Sequence, residues 1–281
     1  MPLQLDIRSV LKRKAPNAHV PEFVIRYLER ITHIEQMNAF LRIHTTERDY
    51  DFIRLVLDEE LGCSATVEGT ENIPTDGEPV IFVSNHPLGG LDGMIIAQMI
   101  HEARSASSER TMKVIVNDLL MHMEPIAGLW APVSKTGRLS REQAEQQQLM
   151  WESECDVLTF PAGACSRLQR LDGKWQVCDL EWQKNFVKRA VEYHRNVVPV
   201  YFEGHNSRFF YTLAFLRKML HIKFNIEMLY LVDEMYGAHG KHFKVHVLPP
   251  IHWSRFDNTR TPKQWAQYVK SIVYATNNST C

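Results

Sequence analysis

The sequence predicts an α/β fold: a mainly parallel central sheet flanked by helices, with a helical N-terminal addition. Three observations carry that expectation. Short β-branched and aromatic runs recur as strand candidates: PVIFVSN (79–85), DVLTF (156–160) and NVVPVYF (196–202). Segments with apolar residues at helical spacing alternate with them. The strands are apolar on both sides, as strands are when helices cover both faces of a parallel sheet.

Taken in order, residues 20–61 place Phe52, Leu55, Val56 and Leu61 at helical spacing among charged residues, and Gly62 is a stop. PVIFVSN is a buried strand, followed by a helix from about Asp92 to Arg104. TMKVIVND (111–118) is the next strand, and SREQAEQQQLMWESE (140–154) is a helix with Ser140 and Gln143 as its capping box. DVLTF, a helix over DLEWQKNFVKRAVEYHR (179–195), and NVVPVYF continue the alternation. RFFYTLAFLRKMLHIKF (208–224) suits two readings, a helix at a lipid interface or a core helix with a basic outer side. KHFKVHVLPPI (241–251) has the period of a strand, and TPKQWAQYVKSIVYAT (261–276) is a closing helix with Pro262 in its first turn. With no repeat or linker in view, the simplest organisation is a helical segment over 1–61 packed on an α/β domain over 62–281.

Composition narrows the function classes. With 44 % hydrophobic and 23 % charged residues over 281 positions, the chain can support a sizeable core. A net charge of −1 argues against a general nucleic-acid binder, which needs a concentrated basic face. Cys63, Cys155, Cys165, Cys178 and Cys281 are odd in number and form no CxxC pair. They are poor material for a disulfide framework or a zinc site and fit a reducing, cytoplasmic setting. The N-terminus lacks a signal-peptide pattern, and no apolar run is long enough to span a bilayer. The expectation is a protein that is soluble or lies on a membrane surface.

Three stretches could carry chemistry. In NHPLGGLD, His86 follows a strand and Asp92 opens the next helix. A neutral imidazole can take a proton from a hydroxyl when a carboxylate holds its other nitrogen. Gly89 and Gly90 would let the backbone fold back far enough to bring the two together. The competing reading is a turn cap followed by an acid placed well at a helix N-terminus. LTFPAGACSR (158–167) ends a strand in small residues, with Gly163 permitting close backbone approach and Arg167 beyond it. On turn chemistry alone an ordinary strand-ending turn is the stronger reading there, and Cys165, with no adjacent histidine, is read as inert. PVSKTGRLSR (132–141) groups Lys135, Arg138 and Arg141 around Gly137. Such a cluster suits phosphate or carboxylate recognition, or is a solvated loop. His242, His246 and His252 find no acid in the sequence to complete a ligand set.

In this order the pieces resemble the lysophosphatidate acyltransferase family, the glycerolipid O-acyltransferases, over roughly residues 65–250. NHPLGGLD is similar to the family's Asn-His-acid motif, GLWAPVSKTGR (128–138) to its second motif, FPAGACSR to its FPEGTRS, and VVPV (197–200) to its fourth. Three departures stand out. Five residues rather than four separate His86 from Asp92, which the diglycine would absorb as a bulge. Ala162 replaces a glutamate linked in the family to the glycerol-phosphate acceptor. Lys135 stands near a usual arginine. The NHPLGGLDG and FPAG forms resemble the hemolysin-like branch, associated with ornithine- and glycine-type aminolipids.

The resemblance implies that His86 is the base and Asp92 its orienting acid. Asn85, Gly89, Gly90, Lys135, Arg138, Phe160, Pro161, Ala162, Gly163, Ser166 and Arg167 would line the substrate site. Backbone N–H groups near Ala162 and Gly163 would meet the oxyanion. The partners implied are acyl-carrier protein or acyl-CoA, a lysolipid acceptor (a lyso-aminolipid or lysophosphatidate) and a membrane surface, with a cytoplasmic protein peripherally associated with the inner membrane. The acyl thioester is a co-substrate, with no cofactor or metal. A thioesterase that activates water with the same histidine, and a non-catalytic lipid- or carrier-binding protein, remain open as alternatives.

Overall fold

The structure is a computed structural model that describes residues 5–14, 20–105, 111–117, 124–133, 141–171, 173–222 and 225–276. Among the described residues four helices precede the sheet: α1 (Ile7–Lys14), α2 (Glu22–Ile31), α3 (Ile34–Ile43) and α4 (Asp49–Leu55), the last widening into a π-turn at Val56–Glu60. Gly62 ends this run in the left-handed region, at φ +56°, where a side chain would be strained. There follow β1 (Ser64–Glu68), β2 (Ile81–Ser84), α5 (Leu91–Ser105), β3 (Met112–Asn117), β4 (Trp130–Val133), α6 (Arg141–Glu152) and β5 (Asp156–Thr159). Then come β6 (Arg167–Leu171), β7 (Lys174–Cys178), α7 (Asn185–Glu192), β8 (Val197–Glu203), α8 (Arg208–Met219), α9 (Leu231–Tyr236), β9 (His242–Val247) and α10 (Pro262–Ala275).

Seven strands form one sheet in the order β1-β9-β8-β2-β5-β3-β4, and β6 pairs with β7 in a separate hairpin. The ladders from β8 to β4 are parallel, with Ile81 of β2 opposite both Val157 of β5 and Val197 of β8. β9 runs antiparallel to β8, and β1 runs parallel to β9, so these two edge strands reverse direction.

Alternation along β2 explains the two cores. Phe82 faces a cluster with Leu158, Val198, Ile96 and Ile100, joined by Phe52 and Ile53 of α4. Ile81 and Val83 face the other side, against Val157, Trp182, Phe186, Trp265 and Val269. Each such side chain contributes roughly 1.5–3 kcal/mol by leaving water. β2 is pinned at its start by Asp156, which accepts the Val80 N–H at 3.0 Å and pairs with the buried Arg104 at 2.7 Å. At the far end of the chain, Thr261 and Gln264 form a capping box around Pro262, so α10 begins where its sequence indicates.

Several local expectations shift. The helix expected over 179–195 covers only Asn185–Glu192. The residues before it are held extended by long-range bonds: Asp179 N–H to Tyr274 Oη (2.8 Å), Trp182 N–H to Gln267 Oε1 (3.3 Å) and Gln183 N–H to the Pro161 carbonyl (2.9 Å). The strands β1 and β4 and the β6–β7 hairpin have no counterpart among the strands the sequence predicts. The Ser140 cap lies outside the described residues, as does the side chain of Gln143. Cys63, Cys155 and Cys165 are buried free thiols, whereas Cys178 is disulfide-bonded, which the cysteine count did not anticipate. Among the described residues no helix is long and apolar enough to cross a membrane.

Candidate active site

The carboxyl ends of β8, β2 and β5 lie side by side, the usual place for a site in such a sheet. Asn85, the first residue past β2, is buried. Its Nδ2 donates to the Phe202 carbonyl at 2.9 Å and its Oδ1 accepts the Phe202 N–H at 2.7 Å. That commits Asn85 to tying β2 to β8 rather than to a substrate. His86 is fixed through its backbone from both sides: its N–H donates to Asp179 Oδ1 (3.2 Å), and its carbonyl accepts the Ser166 N–H (2.8 Å).

The chain then bends back. Gly89 sits at φ +76°, and a Cβ there would lie 3.0 Å from both Leu231 methyls and 3.2 Å from the Cys165 Cβ. Gly90 has neither constraint, since a Cβ there would meet nothing within 4 Å. The bulge therefore needs one glycine, not the pair. It returns Asp92, at the second position of α5, to His86, with 3.1 Å between Nδ1 and Oδ2. The same carboxylate accepts the backbone N–H groups of Leu88 (3.0 Å), Gly90 (3.1 Å) and Gly93 (2.9 Å). Four donors and the positive end of a helix hold it in place and ionised.

The electrostatics follow from this packing. Burial opposes protonation of His86, but the charge and hydrogen bond of Asp92 outweigh it and raise the imidazole pKa above 6.5. Burial alone would push the Asp92 carboxyl up; the facing imidazole and the backbone N–H groups bring it below 3.8. The His86 side chain is 17 % exposed, and no described residue bonds its Nε2. Phe160 stacks on the ring at 4.1 Å and 27°. This leaves one oriented imidazole with its outer nitrogen free to take a proton.

The remaining expected site residues divide. Pro161 is buried, and its carbonyl serves Gln183. Ala162 packs into the apolar cluster of Ile81 and Val83, so a glutamate there would carry charge into the core. The Gly163 N–H is bonded to the Phe160 carbonyl at 3.0 Å and so is committed within the turn, not aimed at an oxyanion. Ser166 donates to Asp179 Oδ1 at 2.6 Å. Arg167 contacts the Cys165 Sγ (2.7 Å) and pairs with Glu227 (3.2 Å), which also pairs with Arg217 (2.9 Å). It thus shares one buried carboxylate with Arg217, where the resemblance placed it in the lining of the substrate site. Burial pushes the Cys165 thiol up, away from nucleophilic thiolate. Lys135 and Arg138 lie outside the described residues.

The sequence reading missed Asp179. Wholly buried, it collects the His86 N–H, the Ser166 hydroxyl and the Trp182 indole N–H, the last at 2.8 Å. Burial raises its pKa above 3.8 in spite of those donors. Lying 93 residues from His86, it carries no local signal. His246, read without an acid partner, sits between Glu68 (3.1 Å) and Glu203 (2.7 Å) on neighbouring strands. Among the described residues no group of three or more His, Cys, Asp or Glu side chains could hold a metal ion.

Comparison with known proteins adds a second line of observation. A family model described as acyltransferase matches residues 9–281. A lyso-glycine lipid O-acyltransferase of Phocaeicola vulgatus is 42 % identical over 272 residues, covering 96 % of this chain and 94 % of that protein. The protein of the same name from Bacteroides thetaiotaomicron is 41 % identical over 272 residues, covering 96 % of each. The crystal structure of a 1-acyl-sn-glycerophosphate acyltransferase from Thermotoga maritima aligns with a TM-score of 0.47 at 16 % identity, covering 96 % of this chain and 87 % of that one. That last likeness is too distant to carry an argument.

Proposed function

This chain belongs to the acyltransferase family, and we propose that it moves a fatty acyl group from an acyl thioester to the hydroxyl of a lyso-glycine-type lipid. Its two curated relatives, each covered almost end to end, carry that acceptor in their names. The observation that carries the chemistry is the 3.1 Å contact between His86 Nδ1 and Asp92, which leaves Nε2 unpaired among the described residues.

In the proposed reaction Nε2 removes the acceptor's hydroxyl proton as that oxygen attacks the thioester carbonyl. Asp92 keeps the proton on Nδ1 before the step and stabilises the imidazolium during it. When the tetrahedral intermediate collapses, the C–S bond breaks and the imidazolium returns its proton to the departing thiolate. Ester and free thiol are the products. The donor is acyl-carrier protein or acyl-CoA, and the reaction takes place at the cytoplasmic face of the inner membrane. The glycine-type acceptor is also in keeping with Ala162, which stands where the resembled family carries a glutamate linked to the glycerol-phosphate acceptor.

The test is product analysis by mass spectrometry. Purified protein is incubated with acyl-carrier protein or CoA thioester and, in parallel, lyso-glycine lipid or lysophosphatidate. Transfer to the glycine lipid is expected, reduced by at least about 10²-fold in His86→Ala with the thermal melt retained. Undiminished transfer by that variant would refute the base assignment.

A further inference from the structure

We infer that the outer face of α8 and the adjoining β6–β7 hairpin dock on an anionic lipid bilayer, the lysolipid entering from that side; the second clause rests on the proposed function, the first does not. The starting point is a helix with too many apolar faces. α8 buries Phe210, Tyr211 and Ala214 against the protein, yet Phe209, Phe215, Leu216 and Met219 on its other sides are 41–55 % exposed. Arg208 and Lys218 are exposed on the same helix, so its outward side combines apolar and basic residues, as an interfacial helix does.

Several of the exposed side chains touch. Trp175, on the hairpin and 56 % exposed, sets its ring edge-on to Phe215 at 6.1 Å. Phe209 meets Tyr230 at 5.0 Å, and Tyr230 meets Tyr27 at 6.4 Å. Leu220 adds an exposed apolar residue just past the end of α8. Exposed apolar side chains accompanied by Trp and Tyr are the composition of a protein resting at headgroup depth.

Charge selects the occupant. Arg170 and Lys174 on the hairpin and Arg208 and Lys218 on α8 are exposed as well, while β6, β7 and α8 contain no acid. Asp172 is the single acid in the sequence between residues 167 and 178. A second copy of the chain in a two-fold dimer would bring this basic rim against itself. An anionic leaflet attracts it, each Lys or Arg near the surface strengthening binding by about fivefold.

The face is also tied to the dyad. Asn206, just before α8, donates to the carbonyl of Pro87, the residue after His86, at 3.2 Å. Phe210 lies beneath Arg167, with the guanidinium carbon 5.6 Å from the ring centre. Glu227 pairs with Arg167 of the hairpin and Arg217 of α8, holding the two elements as one plate. The face is thus joined through Asn206 to the loop that carries His86.

Full-length protein is sedimented with phosphatidylcholine vesicles, with and without a quarter phosphatidylglycerol. Binding is expected to the anionic vesicles and to weaken with salt. Trp175→Glu/Phe215→Glu should lower it at least tenfold, and Lys174→Glu/Lys218→Glu should do so with loss of the salt dependence. Met219→Glu/Leu220→Glu, on the same face, serves as a second apolar test should the first pair unfold. Vesicle binding unchanged in the folded variants overturns the inference. So does a wild-type dimer that ignores vesicles and falls apart in the variants. Vesicle binding lost in the variants, with wild type that never acylates lysolipid, would retain the docking face and reject the proposed function. Where the wild type is active, the variants should keep its turnover on a short-chain, monomeric lysolipid.

Discussion

Replacing Asp92 by asparagine probes the dyad with the smallest change in shape. Oδ2 of Asp92 faces two donors, His86 Nδ1–H and the Leu88 N–H, while Oδ1 faces the N–H groups of Gly90 and Gly93. An amide must turn its NH₂ toward one of these pairs, leaving at least one buried backbone N–H unmatched at a cost of about 1–3 kcal/mol. Loss of the carboxylate also releases the imidazole tautomer, which should lower kcat/KM by roughly 10²–10⁴, or about 3–5 kcal/mol in the barrier. The pH dependence separates this from simple loosening. In the wild type the His86 pKa is raised above 6.5, so activity falls as the pH drops through a point above 6.5. In the variant the raising influence of Asp92 is gone and burial remains, so the acid limb should move below that value. Stability has its own signature. The raised His86 pKa stabilises the fold below pH 6.5, an effect lost as pH rises through the folded pKa. The depressed Asp92 pKa stabilises it above pH 3.8, an effect lost as pH falls through the folded pKa. The gap between wild type and Asp92→Asn in urea melts should therefore be widest between those values and narrower at pH 8.5. An acid limb that stays put, with activity within tenfold of wild type, would show that the two side chains do not work as a pair.

Two further substitutions test how the dyad is held. Gly89→Ala should destabilise by on the order of 1–2 kcal/mol and impair transfer, because φ is +76° and the new methyl would press on Leu231 and Cys165. Gly90→Ala, with open space around its Cβ, should stay within about 0.5 kcal/mol of wild type; equal costs at the two sites in chemical denaturation would contradict the single-glycine bulge. Asp179→Ala strands the His86 N–H, the Ser166 hydroxyl and the Trp182 indole, and should lower stability by about 3 kcal/mol. A loss below about 1 kcal/mol in the same measurement would mean that this carboxylate is not what secures the His86 loop.

The residues by themselves determined the alternation of strands and helices, because burial on two faces imposes a continuous apolar run and helix packing imposes a 3.6-residue period. They also determined which local stretches bring an imidazole, a carboxylate and a glycine close along the chain, since that proximity needs only eight positions, 85–92. Tertiary structure decided the rest. Which glycine bends the chain depends on Leu231, 142 positions away in the sequence, and on Cys165. Asn85 serves the sheet because β8 arrives beside it, and Arg167 is paired because Glu227 is delivered from a distant 3₁₀ helix. The reversal of β9 and β1 likewise follows from pairing between strands remote in sequence. Periodicity records how a segment meets its surroundings in general. It carries no record of which particular group from elsewhere in the chain comes to meet a given side chain, and that meeting sets the charge, the hydrogen bonds and the exposure on which the chemistry depends.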